Sequence, residues 1–350
     1  MDHYPHILGC LLGTALGDAV GLRREGLSRQ RAVRMYGESS LAPNLIFGWG
    51  FCSDDTEHTL MVGRALALSA GKPEQFEREL AAQFGRWLLA IPAGVGLATL
   101  RSCLILLIGF GPRRSGVASA GNGPAMRSAL LGVCAEDEPH LVALVDASTR
   151  ITHTDPRAQE GALIVARAAR LAAVGDTRTP EEFLADVATI TRGEELRGTL
   201  HAAVSALEEN KSCLEFADSR GWTRGVSGYI NHAVPAALYC WANYPRDFEQ
   251  CVKNAVLLGG DTDTVAAIAG AICGANLGAD AIPAGWIGRL REWPRTVDWM
   301  TELANSLYTA MAQGVATKPP PMRWLASVPR NLVFATVVLG LGFRRLFPPY

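Results

Sequence analysis

Glycines recur at positions 9, 13, 17 and 21 inside an otherwise apolar N-terminal segment, and this spacing restricts the fold more than any other feature of the chain. Ile7, Leu11, Ala15 and Ala19 form one row at helical spacing, and Leu8, Leu12, Leu16 and Val20 form the next. The segment therefore reads as a helix with one bare stripe along it. Each glycine costs a helix about 1 kcal/mol relative to alanine. Close approach of a neighbouring helix is the compensation this pattern predicts. A membrane dimerisation face is the competing reading, and Asp18 and the shortness of the run oppose it.

Helical periodicity continues at about 74–90, 158–174, 180–192, 194–209, 227–242, 246–257, 263–278 and 295–313, while strand-like alternation is nearly absent. Glycine and proline collect between these stretches, as at Gly109 to Gly123 and Gly225 to Gly228. The expected fold is all-α, a single compact multi-helix domain over residues 1–318. A tail, 319–350, begins at Pro319-Pro320-Pro321. Its most apolar run, Leu332 to Phe343, is about a dozen residues and too short to span a bilayer. The tail is expected to pack on the body, with an oligomer contact or a membrane-surface contact as alternatives.

The net charge of −1 provides no electrostatic footprint for nucleic acid or an anionic membrane, although it leaves room for one anionic ligand in a pocket. Eight scattered cysteines without a CxxC pair suggest free buried thiols. The opening MDHYPH lacks the basic region of a signal peptide. These features point to a cytoplasmic protein without a transmembrane segment.

Two clusters carry the chemistry: Ser53-Asp54-Asp55-Thr56 and Asp261-Thr262-Asp263-Thr264, each at the head of an apolar helical stretch. They can be read as two ordinary helix N-caps. A cap needs one such residue, however, and each cluster has four. If the clusters converge, four carboxylates repel one another more than two helix dipoles offset, and divalent cations would resolve the conflict. The all-oxygen donor set favours Mg²⁺, Mn²⁺ or Ca²⁺ over Zn²⁺. A calcium site is the alternative, but the acid-rich twelve-residue loop ending in Glu is missing.

Five ordered blocks, Gly13 to Glu25 (GTALGDAVGLRRE), Ser53 to Glu57 (SDDTE), Ser119 to Arg127 (SAGNGPAMR), Ile151 to Pro156 (ITHTDP) and Gly259 to Thr264 (GGDTDT), resemble the ADP-ribosylglycohydrolase family. The resemblance implies an orthogonal helical bundle and two Mg²⁺ or Mn²⁺ ions held by Ser53, Asp54, Asp55, Asp261, Asp263 and Thr264. Ser53 stands where the family commonly has Thr. It further implies Glu25, with Asp55 and Asp261, as catalytic carboxylates, Glu25 being the general acid/base or water-positioning group. Asp18 is implied as a supporting residue behind the metals. Arg23 and Arg24, which depart from the family's small residues or Pro, could alter the loop or pair with Glu25.

The same resemblance implies that Ser119, Gly121, Asn122 and Gly123 cradle a diphosphate ahead of a helix N-terminus, that His153 contacts ribose or phosphate, and that Tyr229 stacks on adenine. Taken alone, GNG is turn chemistry, a lone His is a structural residue and Tyr229 is a core tyrosine. The implied activity is hydrolysis of the bond between ADP-ribose and an acceptor on a modified protein or small conjugate, with SDDTE, GGDTDT and Tyr229 leaning toward arginine. The alternatives are an ADP-ribose-binding module with little turnover, or a regulatory or immunity partner of an ADP-ribosyltransferase.

Overall fold

Backbone meets backbone where the glycine stripe lies. In the computed structural model, which describes residues 3–38, 41–174 and 178–350, the first helix, α1 (Tyr4–Gly21), packs antiparallel on a second, largely apolar helix late in the chain. In chain order α2 (Arg29–Tyr36), α3 (Asp54–Ser69), α4 (Pro73–Leu89), α5 (Leu97–Leu107), α6 (Ala129–Cys134), α7 (Glu138–Arg150) and α8 (Pro156–Ala173) follow. Then come α9 (Pro180–Ile190), α10 (Glu194–Glu208), α11 (Cys213–Ser219), α12 (Ile230–Asn243), α13 (Phe248–Leu257), α14 (Thr262–Leu277), α15 (Ala284–Ile287), α16 (Val297–Gln313) and α17 (Trp324–Arg344). The described residues contain no β-strand, as the periodicity predicts.

The partner of α1 is α14. A Cβ added at Gly9 would lie 2.1 Å from the Gly274 carbonyl oxygen, one at Gly13 2.1 Å from that of Gly270, one at Gly17 2.1 Å from that of Ala266, and one at Gly21 2.3 Å from that of Thr262. As one number rises by four the other falls by four, so the helices run antiparallel in step. A side chain at any of the four would drive the backbones apart. Their Cα hydrogens face carbonyl oxygens instead, a contact worth about 0.5–1 kcal/mol each. Both helices are buried nearly all round, enclosed by α3, α6, α8, α12, α13 and α16. The sequence predicts a close neighbour for the stripe without saying which; α14 supplies it.

This pairing places the C-terminal end of α1 beside the N-terminal end of α14, where Thr262 Oγ1 donates to the Gly21 carbonyl at 2.9 Å. Isolated backbone pairs lace the neighbouring loops together: Gly26 N–H donates to Gly260 O at 2.7 Å, Gly260 N–H to Leu27 O at 2.8 Å, and Asp261 N–H to Val226 O at 2.8 Å. Gly260 has φ +78°, and a Cβ there would sit 2.0 Å from Val226 O, so only glycine fits.

All eight later periodic stretches match a helix to within about three residues at either end. The eight cysteines are all free and buried.

The tail packs back through Ser327, Arg330, Asn331 and Phe334 of α17. Arg330 donates to the Cys52 carbonyl at 2.5 Å and to Glu292 at 2.6 Å; Arg295 donates to Glu292 at 3.0 Å and also pairs with Glu57, which accepts from the Trp87 indole. Two acids and two bases thus neutralise one another beneath the surface, and removing one partner is expected to cost about 3–5 kcal/mol. The expectation that the apolar tail is too short to span a bilayer needs correction. Trp324 to Asn331 continue the helix, and the 21-residue α17 has the length and hydropathy to cross a membrane, with 22% of its apolar window buried. Leu332, Val333, Leu339 and Phe343 are exposed.

Gly13→Ala is expected to destabilise the chain by about 3 kcal/mol or more through backbone displacement. Gly198→Ala, on an exposed face of α10 with nothing within 4 Å of the new methyl, is expected to stabilise it by about 0.5–1 kcal/mol. Urea unfolding midpoints of the two variants, moving in opposite directions, check both.

Candidate functional site

Three chain segments converge on one acidic centre: the end of α1, the start of α3 and the start of α14. The N-cap of α3 is Ser53, whose Oγ accepts from Asp55 N–H at 3.2 Å. In α14 the N-cap position is Asp261, whose side chain makes no cap hydrogen bond. The ordinary capping reading thus accounts for one residue of the eight in the two clusters.

Asp18, fully buried near the end of α1, takes the start of α3 in hand. Its carboxylate accepts from Ser53 N–H at 2.8 Å, from Thr56 N–H at 3.2 Å and from Thr56 Oγ1 at 2.5 Å. Burial raises its pKa to about 7 against the pull of these donors. Asp55 Oδ2 accepts from Ser53 Oγ at 3.0 Å and from Thr264 Oγ1 at 3.2 Å, joining the two clusters. Its other oxygen, Oδ1, is buried with no hydrogen-bond partner among the described residues. Oxygens of Asp18, Asp55 and Asp263 lie within 4.8 Å of one another.

Electrostatics follow from this crowding. Asp55 and Asp263 are held well above the usual carboxylate range, first by burial. Asp18, Asp54 and Asp261 add to the shift on Asp55, and Glu25, Asp55, Asp261 and Asp18 to that on Asp263. Asp54 is raised likewise, by burial and then by Asp18, Glu57 and Glu25. Such a cluster either holds protons or holds cations. The orphaned Asp55 oxygen and the hard oxygen donors around it fit a divalent cation.

Glu25 follows α1 on the loop tied to Gly260 and sits at the solvent edge. Its carboxyl is raised by partial desolvation and by Asp261, and lowered by the Arg345 charge. The suggested pairing with Arg23 or Arg24 does not occur. The Arg23 guanidinium stacks 4.6 Å from the Tyr36 ring centroid, and buried Arg24 donates to Gly37 O at 2.6 Å. Both face away because Tyr36 and Gly37, at the end of α2, offer a ring and a carbonyl on that side. A cavity of about 430 Å³ opens here between Glu25, Ser28, Arg224, Ser227 and Asp261. Larger clefts, about 590 and 680 Å³, lie by Arg178 and Arg113 away from the carboxylates, so charge rather than size marks the site.

The glycine loop borders the acids through Asn122, whose Nδ2 donates to Asp261 at 2.7 Å. The amide cradle is only partly as expected. Gly121 N–H already donates to Ser119 Oγ at 3.3 Å and Asn122 N–H to Gly228 O at 3.0 Å. The segment that follows is a three-residue 3-10 turn, Ala125–Arg127, and its tight geometry replaces the anticipated α-helix start. His153 packs under this loop; a Cβ at Gly123 would come 3.1 Å from its ring. Burial and the nearby Arg127 charge lower His153 to about 3, so it is a neutral imidazole.

Tyr229 precedes α12, half-buried. Its Oη donates to Glu195 at 2.5 Å and accepts from Asn231 at 3.0 Å, while the Arg157 guanidinium lies 5.7 Å from the ring centroid.

The sequence does not reveal the buried network of Arg127, the tie of Asn122 to Asp261, or the ion pairs of the tail arginines. Arg127 is fully buried, donating to Gly123 O at 3.0 Å and Thr152 Oγ1 at 2.7 Å. A charged residue inside an apolar helical run, as at Arg330, was the one signal available.

Without cations the raised carboxyls set a pH dependence. Asp18 carries its stabilising proton fully below its unfolded value near 4, and that contribution is lost as pH climbs toward about 7. The metal-free Tm is therefore expected to fall over that window. Millimolar Mn²⁺ should suppress the fall, and Asp55→Asn should raise the metal-free Tm by about 3 °C while abolishing the Mn²⁺ response. Thermal melts with EDTA and with Mn²⁺ from pH 4 to 8 check this.

Known proteins resemble this chain over most of its length. A family model described as ADP-ribosylglycohydrolase matches residues 1–316. An uncharacterized protein of Archaeoglobus fulgidus is 32% identical, over 85% of this chain and 94% of its own. The ADP-ribosyl-[dinitrogen reductase] glycohydrolase of Rhodospirillum rubrum is 29% identical over 85% of this chain and 96% of its own. Human ADP-ribosylhydrolase ARH3 is 28% identical over 79% and 87%. A solved ADP-ribosylglycohydrolase-related protein complex superposes with a TM-score of 0.67 at 28% identity, covering 89% of this chain and 99% of that one.

Proposed function

Because the chain belongs to the ADP-ribosylglycohydrolase family, we propose that it is a divalent-metal-dependent hydrolase cleaving the glycosidic bond between ADP-ribose and arginine of a modified protein. The observation that carries the metal requirement is the buried Asp55 Oδ1, unpartnered among the described residues and set among carboxylates raised by burial and then by mutual repulsion. Asp54, Asp55, Asp261 and Asp263 would hold two cations, Mg²⁺ or Mn²⁺, with the Ser53 and Thr264 hydroxyls. Bound there, the cations would supply Lewis acidity toward ribose hydroxyls and water.

The chain's own groups divide the remaining work. Asp18 keeps the start of α3 aimed at the centre through its bonds to Ser53 and Thr56. Asn122 fixes Asp261 and, with it, the distance between the glycine loop and the acids. Ser119, Gly121, Asn122 and Gly123 line the diphosphate side, with neutral His153 presenting a hydrogen-bonding nitrogen without the charge that would compete for the acids. The Tyr229 ring, held at its hydroxyl, offers a face for adenine. Glu25, its carboxyl raised by burial and by Asp261, exchanges the proton between water and leaving group. The arginine preference rests on the SDDTE and GGDTDT blocks and Tyr229, and the cytoplasmic assignment on eight free thiols.

ADP-ribose release from arginine-ADP-ribosylated protein, measured with Mg²⁺, Mn²⁺ and EDTA, tests the reading. Release that EDTA abolishes, and that Asp261→Ala/Asp263→Ala lowers by about 10³-fold or more, is expected. EDTA-insensitive release would overturn the metal role, and release only from other conjugates would overturn the acceptor.

A further inference from the structure

The loop bearing Glu25 is held from a part of the chain beyond the 1–316 family match. Arg345, immediately after α17, donates from Nη1 to the Glu25 carbonyl at 2.8 Å and from Nη2 to the Arg23 carbonyl at 2.9 Å. One planar guanidinium therefore bridges both sides of the turn that delivers the carboxylate, a fork lysine cannot reproduce. The contact is reinforced around it: Arg31 donates to the Arg345 carbonyl and lies 5.3 Å over the Tyr350 ring, and Arg34 donates to the Tyr350 carbonyl.

An earlier turn of the same helix is anchored beside the start of α3. Arg330 holds the carbonyl of Cys52, the residue before Ser53, and is fixed there by Glu292. Fifteen residues separate Arg330 from Arg345, about 22 Å along a helix. One rigid element thus touches the segment that opens α3 and the loop that carries Glu25.

We propose that α17 is a strut setting the position of the Glu25 loop over the acidic centre, with Arg345 as its positioning residue. This rests on the assignment of Glu25 under the proposed function. Arg345 does not meet substrate; it acts by limiting where the Glu25 backbone can go. Binding of ADP-ribose by the opposite wall, at Asn122, His153 and Tyr229, does not depend on it.

The test uses the full chain and its Arg345→Ala and Arg345→Lys variants. Two readouts are taken: amide hydrogen exchange at Gly26 and Leu27, and steady-state ADP-ribose release. In Arg345→Ala, exchange at those two amides is expected to speed up about tenfold, with the α1 and α14 amides unchanged. kcat should fall about tenfold with KM within about threefold. Arg345→Lys should fall between, and it serves as the reading should the alanine variant fail to fold. Unchanged exchange at Gly26 and Leu27 would overturn the strut. So would faster exchange with wild-type kcat, or a loss confined to KM. If the wild-type chain releases no ADP-ribose, the functional reading fails by itself, and the exchange data alone then support or overturn the strut.

Discussion

The contact between the α1 and α14 backbones governs the remainder of the molecule. Four side-chain-free approaches, each too tight for a methyl group, allow two long apolar helices to lie against each other with nothing between. About 4 kcal/mol of lost helix propensity in α1 is the cost of that stripe, and burial of both helices on nearly every side offsets it. The pairing has a chemical outcome. Antiparallel and in step, it carries Asp18 and the Glu25 loop to Asp261 and Asp263, residues more than 230 positions away. The site sits where the glycine stripe ends.

Much of this was legible in sequence, and the boundary of legibility is physical. Local patterns fix local structure, so the later periodic stretches and the all-α class were readable, as was the demand of Gly9, Gly13, Gly17 and Gly21 for a close neighbour. The acidic clusters were readable because four carboxylates and hydroxyls in a row exceed what a cap uses, and α14 indeed has no side-chain cap. What stayed hidden depends on partners distant in the chain. Nothing near Asp18 says that its oxygens bind Ser53 and Thr56, and nothing near Asn122 announces Asp261. Arg23 and Arg24 looked like partners for Glu25 by adjacency, whereas Tyr36 and Gly37 took them and a tail residue, Arg345, took the Glu25 loop.

The site also illustrates a conflict between stability and chemistry. A core that preferred only to be stable would not enclose Asp18, Asp55 and Asp263 together, with one oxygen left unpaired. The chain tolerates the arrangement because Asp18 is fed by the α3 N-terminus and because compensated charges elsewhere, Glu57 and Glu292 with Arg295 and Arg330, are fully matched. Asp55 and Glu57 both lie in the first turn of α3 yet behave oppositely. Among the described residues Glu57 has arginine partners, and Asp55 has none.

The order of residues along the chain has a consequence for how the protein is made. α1 leaves the ribosome well before the helix that buries its bare stripe, which begins at Thr262, and Glu57 waits for Arg330. Until then the growing chain carries an apolar glycine helix and a buried-type carboxylate without their counterparts. No half of this molecule can complete its centre early. Folding must therefore close over contacts that span most of the sequence, a topology that favours slow, late assembly over stepwise maturation.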